Sequence, residues 1–358
     1  MIILGIETSC DETSVALLEA KKEKANFFIK PYINLLVSQI KIHEKYGGVV
    51  PLLANREHLK NLPLLFEKIL KENKISLEKI DLIAVTNGPG LMPALLIGVH
   101  FSKTLAWYLD KPIIGVSHLT GHLLSFLLPP LNKEKKFTPN SLKKIFPLIG
   151  LIVSGGHTLL VYSKKIGDYK IIGETLDDAS GECFDKTARI LGLGYPGGPK
   201  IAQEAEKLKN KKLNININLP RPMINSKDYN FSFSGLKTAV LYLFNKLTEK
   251  EKKLYLAAIA YEIQEAITDV LAKKTLKAVK DFKVKTLVIG GGVSANLKLR
   301  QKLKEEIKKQ NLKINFLPPI LEYSTDNAIM IALAGFFDFL EGNNAQWKKL
   351  DANANKKL

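Results

Sequence analysis

Two segments of the chain share one local plan, in which an apolar strand, a short polar turn and a second apolar strand follow one another. The first segment covers residues 2–18 and the second covers residues 149–162. Short apolar runs rich in β-branched residues predict buried strands, and the polar residues between them predict turns. Because the plan occurs twice, we expect a duplicated architecture that holds a ligand between its two halves. A chance resemblance of two hairpins is the alternative.

Strands and helices alternate through the rest of the chain. Short apolar runs predict strands, and apolar residues at helical spacing predict the helices between them. The strands are expected at residues 80–86, 113–116 and 286–289, and the helices at 52–72, 93–109, 201–208, 255–279 and 328–340 and from 297 onward. This alternation predicts an α/β protein whose strands are joined by crossover connections.

The segment at residues 151–199 has the features of an active-site floor. Residues 154–157 (SGGH) form a sharp turn whose glycines let a ligand approach the backbone, and successive N–H groups there can bind an anion. A second glycine-built loop, YPGGP, follows at 195–199. An acidic cluster lies between the two loops, at Asp177, Asp178, Glu182 and Asp185. A plain hairpin turn and acids that only stabilise a helix start are the alternatives.

The motif HLTGH places His118 and His122 four residues apart. If this segment is helical, both imidazoles lie on one face, where they can bind one metal ion. Asp326, just before the apolar helix, is either that helix's N-cap or the third ligand of a His, His, Asp site. Two surface histidines are the alternative reading. Leu119 follows the first histidine, so the general base of the zinc-protease HExxH motif is missing.

Three further features are candidates for binding or catalysis. The run GGGVSAN at residues 290–296, between a strand and a helix, suits a nucleoside or phosphate, although it matches neither the dinucleotide-binding nor the P-loop spacing. Lys237, at a predicted helix start, can meet a phosphate or a carboxylate. Asp11 and Glu12 in the first polar turn are either a metal-water or general-base pair or ordinary turn acids.

The chain is strongly basic, with 53 Lys and Arg against 35 acids and a formal net charge of +18. This balance favours a polyanionic partner such as RNA; an acidic partner or a generally Lys-rich surface is the alternative. Two cysteines, Cys10 and Cys183, lie far apart and fit a reducing cytosol rather than a disulfide framework. No signal peptide or membrane-length apolar run is evident. We therefore expect a cytoplasmic protein without a membrane partner.

Eight motifs occur in a defined order along the chain: GIETSCDET, HLTGH, VSGGHT, DDASGECFDK, YPGGP, FSFSGLKT, GGGVSAN and STDNA. In this order they closely resemble the TsaD family, formerly called glycoprotease (Gcp), over roughly residues 1–340. The resemblance implies the actin-like ATPase/sugar-kinase (ASKHA) superfold, with two α/β lobes around a nucleotide cleft. The expected divisions are lobe I at residues 1–117 and 325–342, lobe II at 118–324, and a frayed polar tail at 343–358.

The resemblance also implies an activity. Members of the family are tRNA N6-adenosine threonylcarbamoyltransferases, which move the threonylcarbamoyl group from threonylcarbamoyl-AMP to the exocyclic amine of the adenosine 3′ of the anticodon in tRNAs that read ANN codons. It implies one divalent metal ion, Fe²⁺ first and Zn²⁺ as the alternative, and an adenylate ligand, either threonylcarbamoyl-AMP or ATP. The implied partners are tRNA, TsaB-like and TsaE-like proteins, and a synthase that supplies threonylcarbamoyl-AMP.

Carried over motif by motif, the resemblance assigns roles to individual residues of this chain. The implied metal ligands are His118, His122 and Asp326. The implied adenylate contacts are Val153, Ser154, Gly155, Gly156, His157, Asp185, Gly198 and Asn296. Glu12 matches an acidic residue implicated near the reaction centre and would accept the amine proton. Lys237, singled out by its position and not by the resemblance, is the other candidate catalytic residue.

Two positions depart from the family pattern, and one segment has no counterpart in it. Thr120 stands between the histidines where the family usually has an acid, which bears on metal affinity or orientation. Ala202 stands where the family often has Asp, so one sugar contact is expected to be absent. The Lys-rich segment at residues 132–144 matches no family motif, and its composition predicts a surface loop.

Other functions remain open on the sequence. A metalloprotease, the old family label, needs a water-activating base that Leu119 and Thr120 do not supply. A nucleotide-dependent kinase or chaperone-type ATPase shares the superfold, which does not by itself define a function. A tRNA-binding scaffold without catalysis needs neither the acidic cluster nor the metal residues.

Overall fold

The computed structural model describes residues 1–73, 75–208, 217–343 and 346–358. Its first sheet has six strands in the order β5-β4-β1-β2-β3-β6. They are β1 (Ile2–Glu7), β2 (Glu12–Glu23), β3 (Asn26–Ser38), β4 (Leu82–Gly88), β5 (Ile113–Ser117) and β6 (Lys135–Phe137). β1 lies antiparallel to β2 and parallel to β4, which is the pairing of a mixed α/β sheet.

The second sheet has five strands in the order β11-β10-β7-β8-β9. They are β7 (Leu148–Val153), β8 (Thr158–Lys165), β9 (Asp168–Glu174), β10 (Thr286–Gly290) and β11 (Asn315–Leu317). β7 lies antiparallel to β8 and parallel to β10, as β1 does to β2 and β4. The duplicated architecture predicted from the two hairpins is therefore confirmed, with β6 as an addition to the first sheet.

The helices among the described residues connect the strands and cover the sheets. They are α1 (Ile40–His43), α2 (Pro51–Asn73), α3 (Met92–Leu109), α4 (His118–Leu124), α5 (Pro139–Ile145), α6 (Ser180–Ile190), α7 (Gly197–Glu206), α8 (Ser234–Lys246), α9 (Glu249–Asp281), α10 (Leu297–Lys309) and α11 (Ala328–Leu340). The predicted long helices are confirmed, and α2 continues through Pro63. In the parts of the chain that the structure describes, no helix combines the length and apolarity needed to cross a bilayer.

Helices α4 and α11 lie between the two sheets. α11 packs against β1, β2, β4 and β5 of the first sheet and against α4, which in turn contacts β7 and β10 of the second sheet. Residues 328–337 of α11 are all buried, as expected for a helix that is apolar on every side. Gly5 permits this packing, because a Cβ there would collide with the carbonyl oxygen of Ala328. The start of α4 and the segment just before α11 thereby come close together.

The Lys-rich segment at residues 132–144 is not the surface loop that its composition predicted. It contains β6, which pairs antiparallel with β3, and α5, whose start is fixed by a capping box between Thr138 and Ser141. Phe137 is buried in the core of the first sheet. The prediction was wrong because the pairing partner is a distant strand, whose backbone groups outweigh the weak strand preference of lysine.

The polar tail contacts the first sheet and is not frayed as predicted. The Asn353 N–H donates to the carbonyl oxygen of Asn87 at 2.7 Å. The Lys356 ammonium donates to the Asn87 side-chain oxygen at 2.6 Å and to the Gly115 carbonyl at 2.8 Å. Leu350 is buried against the core of the same sheet. Two of the three hydrogen bonds are accepted by backbone carbonyls, which a polar composition does not reveal.

Candidate metal centre and active site

Three segments meet where β5, β7 and β10 end. A Cβ on Gly290 would collide with the carbonyl oxygen of His122, and a Cβ on Gly291 would collide with that of Val153. Gly291 also has a φ of +87°, which favours glycine. The GGGVSAN loop, the turn after β7 and helix α4 therefore touch one another only because glycines allow it. Ligands of α/β proteins bind at this carboxyl edge of parallel strands.

His118, His122 and Asp326 converge at this edge. His118 is the first residue of α4 and His122 follows one turn later, so their rings meet edge to face with centroids 4.6 Å apart. The Asp326 Oδ1 lies 3.0 Å from His122 Nε2 and 3.4 Å from His118 Nε2. Both histidines are buried, which rules out the reading of two surface histidines. Within the described ranges, these three residues form a group whose donor atoms lie within 4.8 Å of one another.

Asp326 is not the N-cap of α11. That position belongs to Asn327, whose side-chain oxygen accepts a hydrogen bond from the Met330 N–H at 2.9 Å. Since the amide caps the helix, the Asp326 carboxylate is left to face the two histidines. The choice that the sequence left open is therefore resolved against the capping role.

Glu7 orients His118, a role that the sequence did not suggest. Its carboxylate is fully buried and lies 2.9 Å from His118 Nδ1. It also accepts hydrogen bonds from the Ser9 N–H and the Thr86 hydroxyl, each at 2.6 Å. A proton on Nδ1 that is donated to Glu7 leaves the Nε2 lone pair directed at Asp326 and the centre of the cluster. The only sequence signal is an acid at the end of an otherwise apolar strand.

The electrostatics of the cluster follow from two buried carboxylates beside two imidazoles. Burial disfavours a charged imidazole, yet Asp326 and Glu7 outweigh it and raise the pKa of His118 well above its ordinary value. Burial and the neighbouring charge of His118 lower the pKa of His122. Burial would raise the pKa of the Asp326 carboxyl, but both histidines hold it well below its usual range. The carboxylates therefore stay charged and favour a cation in their midst.

The donor set fits a divalent metal ion. Two imidazole nitrogens and one carboxylate oxygen are the ligands of many iron and zinc sites that keep open positions for a substrate. The second nitrogen of His118 already has a carboxylate partner, as is usual for a metal-bound histidine. The Nδ1 of His122 is buried without a hydrogen-bond partner among the described residues.

The turn after β7 presents its backbone next to this cluster. The Ser154 N–H donates to the His157 carbonyl at 2.8 Å, and the His157 N–H donates to the Ser154 hydroxyl at 3.1 Å, which closes the turn. Gly155 and Gly156 are exposed, and a Cβ on either would meet nothing within 4 Å. Burial, with the charges of His118 and His122 nearby, lowers the pKa of His157 to about 4, so its ring is neutral near neutral pH.

The other predicted adenylate contacts have structural partners of their own. The Asp185 carboxylate accepts from the Gly197 N–H at 2.7 Å and so joins α6 to the YPGGP loop. Burial raises its pKa to about 6. Asn296 caps α10 by accepting from the Leu299 N–H at 3.0 Å, and its amide donates to Gln264. Around Gly198 a Cβ would meet nothing within 4 Å. These positions stay predicted contacts.

The acidic residues that the sequence grouped together make different contacts in the structure. Asp177 accepts from the N–H groups of Phe233 and Ser234 and so stabilises the start of α8. Asp178 pairs with Lys186 at 2.8 Å and with Lys237 at 2.9 Å. Lys237 therefore lies in the first turn of α8 with a carboxylate partner, and its catalytic role stays a prediction.

Glu12 begins β2 and lies near Asp326. Burial, the adjacent Asp11 and the charge of Asp326 together raise the pKa of Glu12 well above its ordinary value. A carboxyl group with a raised pKa is a stronger base than an exposed glutamate and suits proton transfer near neutral pH. The sequence singled out Glu12 without revealing this environment, since Asp326 is far away along the chain.

The two mixed sheets, which share one strand order, define an actin-like ATPase fold. The His, His, Asp cluster defines a site within it that is suited to a metal ion. The solved crystal structure of HypF from T. kodakarensis shares the fold, with a TM-score of 0.58 and 15% identity over 95% of this chain and 48% of that one. The chain thus spans about half the length of HypF, and the likeness concerns the fold alone.

The chain belongs to the TsaD family, described as tRNA N6-adenosine threonylcarbamoyltransferase, whose sequence model matches residues 32–333. A relative with that name from Thermosipho africanus is 48% identical over 100% of both chains. Another, from Thermosipho melanesiensis, is 50% identical over 94% of both chains. The family that the eight motifs suggested is confirmed.

Proposed function

We propose that this protein transfers the threonylcarbamoyl group from threonylcarbamoyl-AMP to the exocyclic amine of the adenosine 3′ of the anticodon in tRNAs that read ANN codons. The observation that carries this proposal is full-length similarity, at 48% identity, to a relative named for this transfer. The convergence of His118, His122 and Asp326 supports it, because simple phosphate transfer uses Mg²⁺ with oxygen ligands and a metal site with two imidazole ligands is foreign to that chemistry.

In this proposal the adenylate lies between the turn after β7 and the GGGVSAN loop. Val153, Ser154, Gly155, Gly156 and His157 contact it, together with Asp185, Gly198 and Asn296. The open space beside Gly155, Gly156 and Gly198 supports this placement, since a ligand can approach the backbone there. The exposed N–H groups of the turn would bind the phosphate of the adenylate or stabilise developing negative charge.

His118, His122 and Asp326 would hold one divalent ion, Fe²⁺ first and Zn²⁺ as the alternative. When bound, the ion supplies Lewis acidity that polarises the carbamoyl carbonyl. Glu7 keeps His118 in the orientation that binding requires, through its 2.9 Å contact with Nδ1. Thr120, where the family usually has an acid, is buried. It has no carboxylate, so in this proposal Glu7 is the carboxylate that orients His118.

The chemical step uses Glu12 as the base. The adenosine amine attacks the carbamoyl carbon, the bond from that carbon to the phosphate oxygen breaks, and AMP leaves with the bonding electrons. The amine proton passes to the Glu12 carboxylate, whose basicity is raised by burial and by neighbouring acids. Lys237, held by Asp178, is the predicted group that offsets phosphate charge.

The reaction requires other molecules. The substrate is tRNA, and the net charge of +18 supports binding through its phosphates. TsaB-like and TsaE-like proteins and a synthase that makes threonylcarbamoyl-AMP are the proposed protein partners, and the cytoplasm is the proposed location. The metalloprotease alternative is not supported, because Leu119 and Thr120 are buried and neither side chain can ionise to activate a water molecule.

Glu12→Ala tests the mechanism. We expect transfer in a single turnover to fall by roughly 100-fold or more, the usual contribution of a general base, while adenylate affinity stays within about twofold. Glu23→Ala, at the exposed far end of β2, is the matched control and should leave both quantities unchanged. A loss of adenylate binding in Glu12→Ala would refute the base assignment.

A further inference from the structure

A shallow, open pocket with four lysines lies away from the proposed active site. Lys143, Lys144, Lys285 and Lys313 line it, with Leu312, Ile314 and Asn315 as its remaining wall, and its volume is about 460 Å³. All four lysines are exposed, and no acid lines the pocket. We refer to these four residues and their wall as the lysine pocket.

The lysine pocket is located at the amino ends of the second sheet. Lys285 directly precedes β10, Lys313 precedes β11, and Lys143 and Lys144 lie in the last turn of α5. The metal cluster is at the opposite, carboxyl ends of the strands. β10 has 5 residues, and at about 3.3 Å per residue its ends are roughly 16 Å apart. The pocket is therefore separate from the catalytic centre.

Two hydrogen bonds within the pocket join the segments that carry its lysines. The Lys285 ammonium donates to the Lys143 carbonyl at 2.8 Å, and the Asn315 amide donates to the Lys144 carbonyl at 3.4 Å. These bonds join the end of α5 to the edge of the sheet. The segment that carries Lys143 and Lys144 is the Lys-rich one that matches no family motif.

The ammonium groups of the pocket have no acidic partner among the residues that the structure describes. By contrast, two lysines of the neighbouring helix α10, Lys298 and Lys302, both contact Glu265. Lysines at the end of α5 also offset the helix dipole, which explains Lys143 and Lys144 but not the approach of Lys285 and Lys313. Four like charges around one shallow pocket are stabilised when an anion lies among them.

We propose that the lysine pocket binds phosphates of the tRNA backbone, as a second contact away from the reactive adenosine. The inference rests on the proposed function, which brings this polyanion to the protein. At about 3.4 Å per nucleotide of a stacked strand, the 16 Å between the two ends of the sheet corresponds to roughly five nucleotides. A tRNA arm that runs along the outside of the second sheet is therefore long enough to contact both places. The aliphatic wall at Leu312 and Ile314 offers a surface for ribose.

The salt dependence of tRNA binding tests this proposal. The double variant Lys144→Gln/Lys313→Gln removes two ammonium groups that make no hydrogen bond within the described chain. Each lost contact to duplex phosphate lowers the slope of log affinity against log salt by about 0.9. Between 50 and 200 mM salt, the unaltered protein should thus lose about 12-fold more affinity than the variant. The KM for tRNA should rise, with kcat and adenylate affinity unchanged.

The control variant is Lys165→Gln/Lys170→Gln, which removes the same charge from exposed positions on β8 and β9, at the other edge of the sheet. It should keep the slope of the unaltered protein. Equal slopes in all three proteins, or equal losses in both variants, would overturn the proposal. So would normal tRNA binding by the pocket variant together with lost stimulation by a partner protein. Failure of the unaltered protein to modify tRNA tests the proposed function instead, because binding is measured without chemistry.

Discussion

Replacing Glu7 with glutamine should weaken metal binding without unfolding the protein. The two carboxylate oxygens accept hydrogen bonds from the Ser9 N–H, the Thr86 hydroxyl and His118. Glutamine has one accepting oxygen and a donating amide, so a buried N–H at Ser9 or His118 must lose its acceptor. The Thr86 hydroxyl can rotate and accept instead. The change also removes the negative charge that favours the Nδ1-protonated form of His118.

The expected magnitude follows from the kind of bond that is lost. A hydrogen bond to a charged group contributes about 1.5–3 kcal/mol, which corresponds to roughly 10- to 100-fold in a binding constant. Loss of an outer carboxylate partner usually costs 10- to 100-fold in metal affinity, in agreement with that figure. We therefore expect the Kd of Glu7→Gln for Zn²⁺ or Fe²⁺ to rise by about 10- to 100-fold.

Competition with a chromogenic chelator measures this Kd directly on the purified protein. Glu19→Gln is the matched control, since Glu19 is an acid on β2 whose carboxylate accepts a hydrogen bond from the Tyr32 hydroxyl at 2.5 Å. It should leave metal affinity unchanged. A Glu7→Gln protein that unfolds cooperatively, yet binds metal within about twofold of the unaltered protein, would refute the orienting role of Glu7.

Three further predictions concern the surrounding structure. Gly198→Ala should leave the free energy of unfolding unchanged or raise it by up to about 1 kcal/mol, because the added Cβ meets open space within helix α7. The same change should weaken adenylate binding. Equal adenylate affinity in a titration would argue against a ligand beside Gly198. Burial raises the pKa of Asp185 from 3.8 to about 6, so the folded state binds more protons in that window and the free energy of unfolding falls as pH rises through it. Asp185→Asn should remove this fall in denaturant titrations between about pH 4 and 7, and an unchanged pH profile would contradict the assignment. Leu350→Ala should lower the free energy of unfolding by about 2–5 kcal/mol, because Leu350 is 5% exposed; no loss in the same titrations would mean that the tail does not pack on the first sheet.

The sequence predicted the parts of the fold that depend on local pattern. The two hairpins, the helix through Pro63 and the glycine run after β10 each carry a periodic or turn signal, and each is present. The proximity of His118 and His122 also followed from helical spacing alone. Local signals were sufficient here because the residues that matter are within a turn of one another.

The remaining features depend on contacts between distant residues. Glu7 is 111 residues from His118, so its role appears only once β1 and α4 are packed together. Asp326 was an equally good N-cap on the sequence until Asn327 was seen to fill that position. β6 was missed because its partner β3 is far away and lysine is a poor strand former. For Glu7 and β6 a hydrogen bond across the molecule decides the outcome, and for Asp326 a local hydrogen bond of the neighbouring Asn327 does so. No local period records any of the three.

The most direct test of the central claim is the nucleoside composition of treated tRNA. Unmodified tRNA is incubated with the protein, threonine, bicarbonate, ATP and the synthase, with and without TsaB-like and TsaE-like proteins, and is then digested for mass spectrometry. We expect threonylcarbamoyladenosine, and we expect it to disappear with His118→Ala. No modified nucleoside under any combination, with ATP still hydrolysed, would contradict the account and favour a kinase or chaperone-type ATPase.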